Sequence, residues 1–194
     1  MLTRCMTLIV IALLAVVQTH GAFGAEAKVA VVVASSGEAF IIDATVDVPV
    51  APRTAWDVMT DFEHMANFVG NLKSSQVIAA NGNTLIVRQD GVAHFGLLSF
   101  AFASEREIRL EPMARIAARQ VSGTAKSMAS EAKIIPTTEG VKIKYYAETV
   151  IDSALARAFG ASFLRHEVEE QFLGMGREML RRQAGSEPPH NGRE

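Results

Sequence analysis

The chain has 194 residues, 49% hydrophobic and 21% charged, enough for one globular domain with a sizeable core and without a sign of a second. Its formal net charge of -2 is spread over interspersed signs, so no basic stripe is present to attract a nucleic-acid backbone or an anionic membrane surface. The single cysteine, Cys5, precedes the first apolar run, which sets aside thiol catalysis and thiolate metal sites for the rest of the chain.

Arg4 is followed by twelve uncharged residues, Met6 to Val17, and then by the polar Gln18, Thr19 and His20. This is the pattern of a secretory signal peptide. The run is short for about 30 Å of hydrocarbon, and small residues follow at two cleavage positions, Ala22-Phe23-Gly24 and Ala25-Glu26-Ala27. Residues 1–27 are therefore assigned to the signal and 28–38 to a linker, with the domain proper over 39–182. The expected product is exported, periplasmic or secreted, free of disulfides, and without a membrane span once the signal is removed. An uncleaved anchor prolonged by Val29 to Val33 is the alternative, and Glu26 and Lys28 argue against it.

The first strand is expected over Phe40 to Val48, where Phe40, Ile42, Ala44, Val46 and Val48 alternate with Ile41, Asp43, Thr45 and Asp47. Pro49 ends it. The period then changes: Pro52 suits a first helical turn, and Trp56 and Met59 share a face. Thr60 and Glu63 have capping-box spacing, which predicts a second short helix through Phe62, Met65 and Ala66.

From Leu72 to Val150 the turn residues Asn81-Gly82-Asn83, Glu111-Pro112, Ser122-Gly123 and Glu139-Gly140 divide the chain into six strands of an antiparallel meander. Val141, Ile143, Tyr145 and Ala147 share one face of the last of these, opposite Lys142, Lys144, Tyr146 and Glu148. Over Ser99 to Leu110 the inward set is Phe100, Phe102, Ser104, Arg106, Ile108 and Leu110. Arg106 is thus on the dry side, and two placements fit it. Either it points inward, where it would hold a ligand's carbonyl or acid group, or a bulge shifts the parity and releases it to solvent or to an internal carboxylate. Gln89, on the parity of Leu85 and Val87, and Gln120, on that of Ile116 and Ala118, would join it at the polar end of an apolar cavity.

The last element is a helix over Ser153 to Arg182 with a buried stripe of Ala161, Leu164, Val168, Phe172, Met175 and Met179. Gly160 predicts a kink or a break into two pieces. Gly174 and Gly176 flank the stripe and each costs roughly 1 kcal/mol relative to alanine, so they mark close packing or a ligand edge. Residues 183–194, with Pro188-Pro189, read as a disordered tail.

The stretch Val46-Asp47-Val48-Pro49-Val50-Ala51-Pro52 followed by Trp56 and by Asp61-Phe62-Glu63 resembles the opening of the START-like (SRPBCC) superfamily, in its polyketide cyclase and coenzyme Q-binding branch. Over about Ala39 to Arg182 the rest matches in element order. The resemblance implies an α+β helix-grip fold, a curved antiparallel sheet of about seven strands wrapped around the C-terminal helix, with a cavity for a hydrophobic small molecule or lipid between them. A quinone- or isoprenoid-like ligand is what that branch suggests.

The expected ligand-binding residues are Gln89, Phe100, Phe102, Arg106, Gln120, Tyr145, Leu164, Val168, Phe172 and Met175. No cofactor is called for. His166-Glu167-Val168-Glu169-Glu170 lacks the second histidine of a metal-binding helix, and His166 fits a surface pair with Glu170. His94 lies on the opposite parity to Gln89 and has no visible orienting partner, and no Gly-x-Ser-x-Gly elbow occurs. Binding therefore ranks ahead of two alternatives: a cyclase- or dehydratase-like enzyme with Arg106, Tyr145 or His94 at a carbonyl, and a protein-interaction module without ligand, whose partner the sequence does not name.

Overall fold

The computed structural model describes residues 26–151 and 154–186. The signal-peptide reading up to residue 25, Cys5 and the tail beyond 186 lie outside the described residues, as do Ser153 and the side chains of the first helical turns up to Phe159. One antiparallel sheet of eight strands runs in the order β1-β2-β8-β7-β6-β5-β4-β3. Its strands are β1 (Lys28–Ser36), β2 (Ala39–Val48), β3 (Leu72–Asn81), β4 (Thr84–Phe95), β5 (Leu98–Glu111), β6 (Arg115–Gly123), β7 (Ala125–Thr137) and β8 (Gly140–Ile151). A helix α1 (Pro52–Met59) and a 3₁₀ helix (Phe62–Asn67) follow β2, and the long helix α2 (Ala154–Ser186) closes the chain.

Strand parity works as the alternation demands. Ile42, Ala44, Val46 and Val48 of β2 and Val141, Ile143 and Ala147 of β8 are buried, and register pairs Ala44 with Tyr145 and Val46 with Ile143. Onto that apolar surface α2 lays Val168, Phe172, Met175 and Met179.

Four expectations change. The stretch 28–38 is not a linker: Lys28–Ser36 forms an edge strand paired along its length with β2, which makes eight strands instead of about seven. Val29, Val31 and Val33 pack on the core while Val32 stays 66% exposed, so the run of valines hides an ordinary alternation. Nor does Gly160 break the helix, which is continuous from Ala154 to Ser186. A Cβ there would lie 2.2 Å from Cζ of Phe40, so the glycine makes room for that ring. Gly174 and Gly176 likewise meet the Phe68 carbonyl oxygen at 2.3 Å and Cβ of Ala27 at 2.4 Å, which is close packing.

The capping box is also absent. Thr60 closes α1, its hydroxyl donating to the Trp56 carbonyl at 2.8 Å, and Glu63 accepts the backbone N–H of Val77 at 2.8 Å. The predicted tail starts too early, because Gln183 is helical and its Oε1 accepts the Ala51 N–H and the Thr54 hydroxyl, each at 3.0 Å. Since Ala51 has no side-chain acceptor of its own, this contact supplies at the start of α1 what a capping residue would.

Candidate functional site

The sheet and α2 do not close on each other everywhere. Between them a partly open cavity of about 520 Å³ is lined mainly by apolar side chains. Phe100 and Phe102 reach it from β5, Tyr145 from β8, and Leu164 and Val168 from α2. Phe100 meets Phe163 edge-on at 5.4 Å between ring centroids. Gly91 lets Phe102 lie flat across β4, since a Cβ at that position would fall 2.5 Å from the ring and 2.2 Å from the Asn71 carbonyl oxygen.

The polar end forms where three strands bring Gln89, Arg106 and Gln120 together on the inner face. A bulge does occur beside Arg106, but on the neighbouring strand. Glu105 pairs with Ser122 and Arg106 with Gln120, so Val121 of β6 is the extra residue, and β5 keeps its parity. Arg106 therefore points inward. Its Nη2 donates to Oε1 of Gln89, and Gln89 Nε2 donates in turn to Ser75 Oγ at 2.9 Å. Gln89 is 4% exposed and lies 3.3 Å from Met65 Sδ, so the amide is held from two sides. Gln120 turns its Nε2 to the Ala125 carbonyl at 2.7 Å.

Arg106 Nε is buried without a hydrogen-bond partner, and among the described residues no carboxylate is ion-paired to this guanidinium. Burial pushes its pKa down, opposed by the nearby Tyr145. Burial pushes the Tyr145 phenol up, opposed by Arg106 and by a hydrogen bond with Ser130. At neutral pH the pair is a cation beside a neutral hydroxyl. A half-buried cation whose Nε–H is buried and idle is costly in the empty protein and selective for an acceptor.

Of the ten expected ligand contacts, Gln89, Phe100, Phe102, Arg106, Gln120, Tyr145, Leu164 and Val168 line the cavity. Phe172 and Met175 do not. Each is 4% exposed and belongs to the packed core, with Phe172 supporting Tyr145 edge-on at 5.2 Å. The helical wheel reports that a side chain is covered, not whether a void lies opposite it.

Asn71, Glu167, Gln171, Met128 and Thr149 also line the cavity and were not expected. Asn71 Nδ2 donates to Glu167 Oε2 at 2.8 Å, which ties the segment before β3 to α2. Glu167 sits three residues after Leu164 and four before Gln171, a spacing that could have placed it at the cavity rim. His94 and His166 are exposed, and His94 Nδ1 lies 2.9 Å from Ser99 Oγ.

A family profile described as "Polyketide cyclase / dehydrase and lipid transport" matches residues 48–171. The chain belongs to that family. Its START-like resemblance extends to solved structures, which share the fold at low identity. The Zhui aromatase/cyclase from Streptomyces sp. R1128 is 15% identical, with a TM-score of 0.63 over 80% of this chain and 99% of that one. A protein of Thermus thermophilus is 16% identical, with a TM-score of 0.64 over 76% and 98%. A STAR-related lipid transfer protein from Xanthomonas axonopodis is 14% identical, with a TM-score of 0.57 over 80% and 93%. No curated protein matches the chain. The family match spans β2's end through the cavity-lining part of α2, so it covers both walls of the site.

Proposed function

We propose that this protein is exported and binds a hydrophobic small molecule or lipid between the sheet and α2, with an acceptor group of the ligand on Arg106. The observation that carries this reading is the idle Nε of Arg106, a buried donor in the lining of a mainly apolar cavity. A ligand oxygen there would satisfy a group that the protein leaves unpaired. Burial of the ligand body against Phe100, Phe102 and Leu164 supplies about 25 cal/mol per Å² of apolar area, before the cost of association. A quinone- or isoprenoid-like molecule stays within this chemistry when it carries an oxygen at one end. Among the described residues no helix is long and apolar enough to cross a membrane.

The decisive experiment is a titration with a neutral polyene, diphenylhexatriene, and with palmitate, on the wild type and on Arg106→Met. The reading requires both probes to bind the wild type, and palmitate alone to weaken, by at least about tenfold, in the variant. Equal palmitate affinity for the two proteins would remove Arg106 from the site.

A second reading rests on Tyr145, whose phenol lines the same cavity as the Arg106 cation and interacts with it electrostatically, so that one carbonyl could be addressed by both. Such polarisation is what a cyclase or dehydratase requires. It ranks second because, among the described residues, the cavity lining offers one carboxylate, Glu167, and that accepts from Asn71.

A further inference from the structure

The ladder between β6 and β7 stops early. Their paired residues run from Arg115–Lys133 to Arg119–Ala129, and beyond that point the strands part. Each keeps its other neighbour: β6 stays with β5 as far as Gly123, and β7 stays with β8 back to Ala125. Two features hold them apart. Val121 bulges out of β6, and the register of β7 against β8 shifts between Ala125 and Ser127. Gly123 then runs against β5 at a φ of +147°, where a Cβ would fall 2.4 Å from the Ala103 carbonyl oxygen. Thr124 fixes the turn to the same residue by backbone and side chain, Thr124 N to Ala103 O and Ala103 N to Thr124 Oγ1, both at 2.9 Å. The result is an eyelet in the sheet, bounded by 120–123 on one side and 125–128 on the other.

On the outer face the eyelet opens into a cleft of about 550 Å³ whose lining is about half polar, the polar part being Arg119, Ser122, Lys126, Ser127 and Glu148. On the inner face it reaches the apolar cavity. The two spaces share Gln120, Ala125 and Met128, and Gln120 spans the opening with its bond to the Ala125 carbonyl. Arg106 is the register partner of Gln120, so its half-buried cation stands at the junction. Arg119, Lys126 and the Glu148 carboxylate line the outer mouth, where Arg119 also pairs with Glu107 at 3.6 Å and Ser122 is hydrogen-bonded to Glu105.

We propose that the eyelet between β6 and β7 seats the anionic head of a single-chain amphiphile whose apolar body fills the inner cavity. This rests on the cavity reading above and narrows its ligand class. The head passes Arg106, displaces the Gln120 side chain from Ala125, and meets Arg119 and the hydroxyls of Ser122 and Ser127 outside. A carboxylate head ends near Arg106, whereas a phosphate-bearing head extends into the outer cleft, because only the longer head reaches past Gln120.

The test uses the full exported chain and three probes: diphenylhexatriene, palmitate and palmitoyl-lysophosphatidic acid. The double variant Ser122→Trp with Ser127→Trp fills the eyelet from the outer face at two positions that do not line the inner cavity. It should keep diphenylhexatriene within about twofold and lose lysophosphatidic acid by at least about tenfold, with palmitate less affected. Arg119→Glu, an exposed position, is the second variant should the double one not fold, and it should weaken lysophosphatidic acid alone. Unchanged lysophosphatidic acid binding by a folded variant overturns the eyelet, and so does equal loss of all three probes. Failure of every probe to bind the wild type overturns instead the cavity reading on which it rests.

Discussion

Arg106 and Gln89 hold each other across adjacent strands, Nη2 donating to Oε1, while the Nε of the same guanidinium is buried without an acceptor. The pair is half a binding site and half a stability problem. Gln89→Leu takes away the partner of Arg106 and of Ser75 together, and is expected to cost about 1–3 kcal/mol in chemical denaturation. Arg106→Met removes the uncompensated charge itself, and the empty variant is expected to melt at or above the wild-type temperature. A purely structural arginine would give the opposite result, a clear loss of Tm.

The glycines of α2 separate packing from helix propensity. Gly174→Ala drives a Cβ into the Phe68 carbonyl, a backbone atom that cannot swing aside, so it should destabilise by about 1–3 kcal/mol despite the better propensity of alanine. Gly185→Ala meets nothing within 4 Å and should be neutral or stabilising by up to about 1 kcal/mol. Urea midpoints of the two variants check both signs.

Acid should loosen the joint between α2 and the 3₁₀ helix. A hydrogen bond from Arg181, with Arg182 adding to it against the burial that opposes them, holds the Glu178 carboxyl down to about 2 from an ordinary 4.5. Burial raises Asp61, but hydrogen bonds from Arg182 and His64 outweigh it and leave that carboxyl lowered as well. A depressed carboxylate stabilises the fold above its unfolded pKa and loses that contribution as pH falls through the folded one. The Glu178 contribution is therefore intact above about pH 4.5 and is lost towards about 2. Glu178→Gln should flatten this part of the stability profile, with a loss of roughly 1–2 kcal/mol at neutral pH.

Much of this architecture is legible in the residues. The alternation of Phe40 to Val48 and of Val141 to Val150 places β2 and β8, and parity offers an inward placement for Arg106, Gln89 and Gln120, although for Arg106 the residues alone leave a bulge open as the alternative. Other features lie outside what periodicity carries. Val29 to Val33 is apolar at nearly every position, so its alternation emerges only once β2 covers one face. Gly160 is a helix breaker by propensity and a cradle for Phe40 by packing, and only the tertiary partner decides between them. The Val121 bulge has no compositional mark, yet it preserves Arg106 and opens the eyelet.

Ala27 bears on where the signal would be cut. It is 8% exposed, belongs to the core, and faces Gly176 across a space too tight for a second Cβ. Cleavage after Ala27 would remove a packed residue, whereas cleavage after Gly24 retains it. If the chain is exported and cut, intact-mass analysis should therefore find Ala25 first; a chain starting at Lys28 would show that Ala27 is dispensable.

Native mass spectrometry of the purified protein, followed by solvent extraction, tests the central claim most directly. The account predicts a non-covalent adduct, released by organic solvent, that is an apolar molecule with an oxygen-bearing polar end and is depleted in Arg106→Met. A wild-type protein that flies at its bare polypeptide mass, with side chains repacked into the cavity and no extractable molecule, would contradict it.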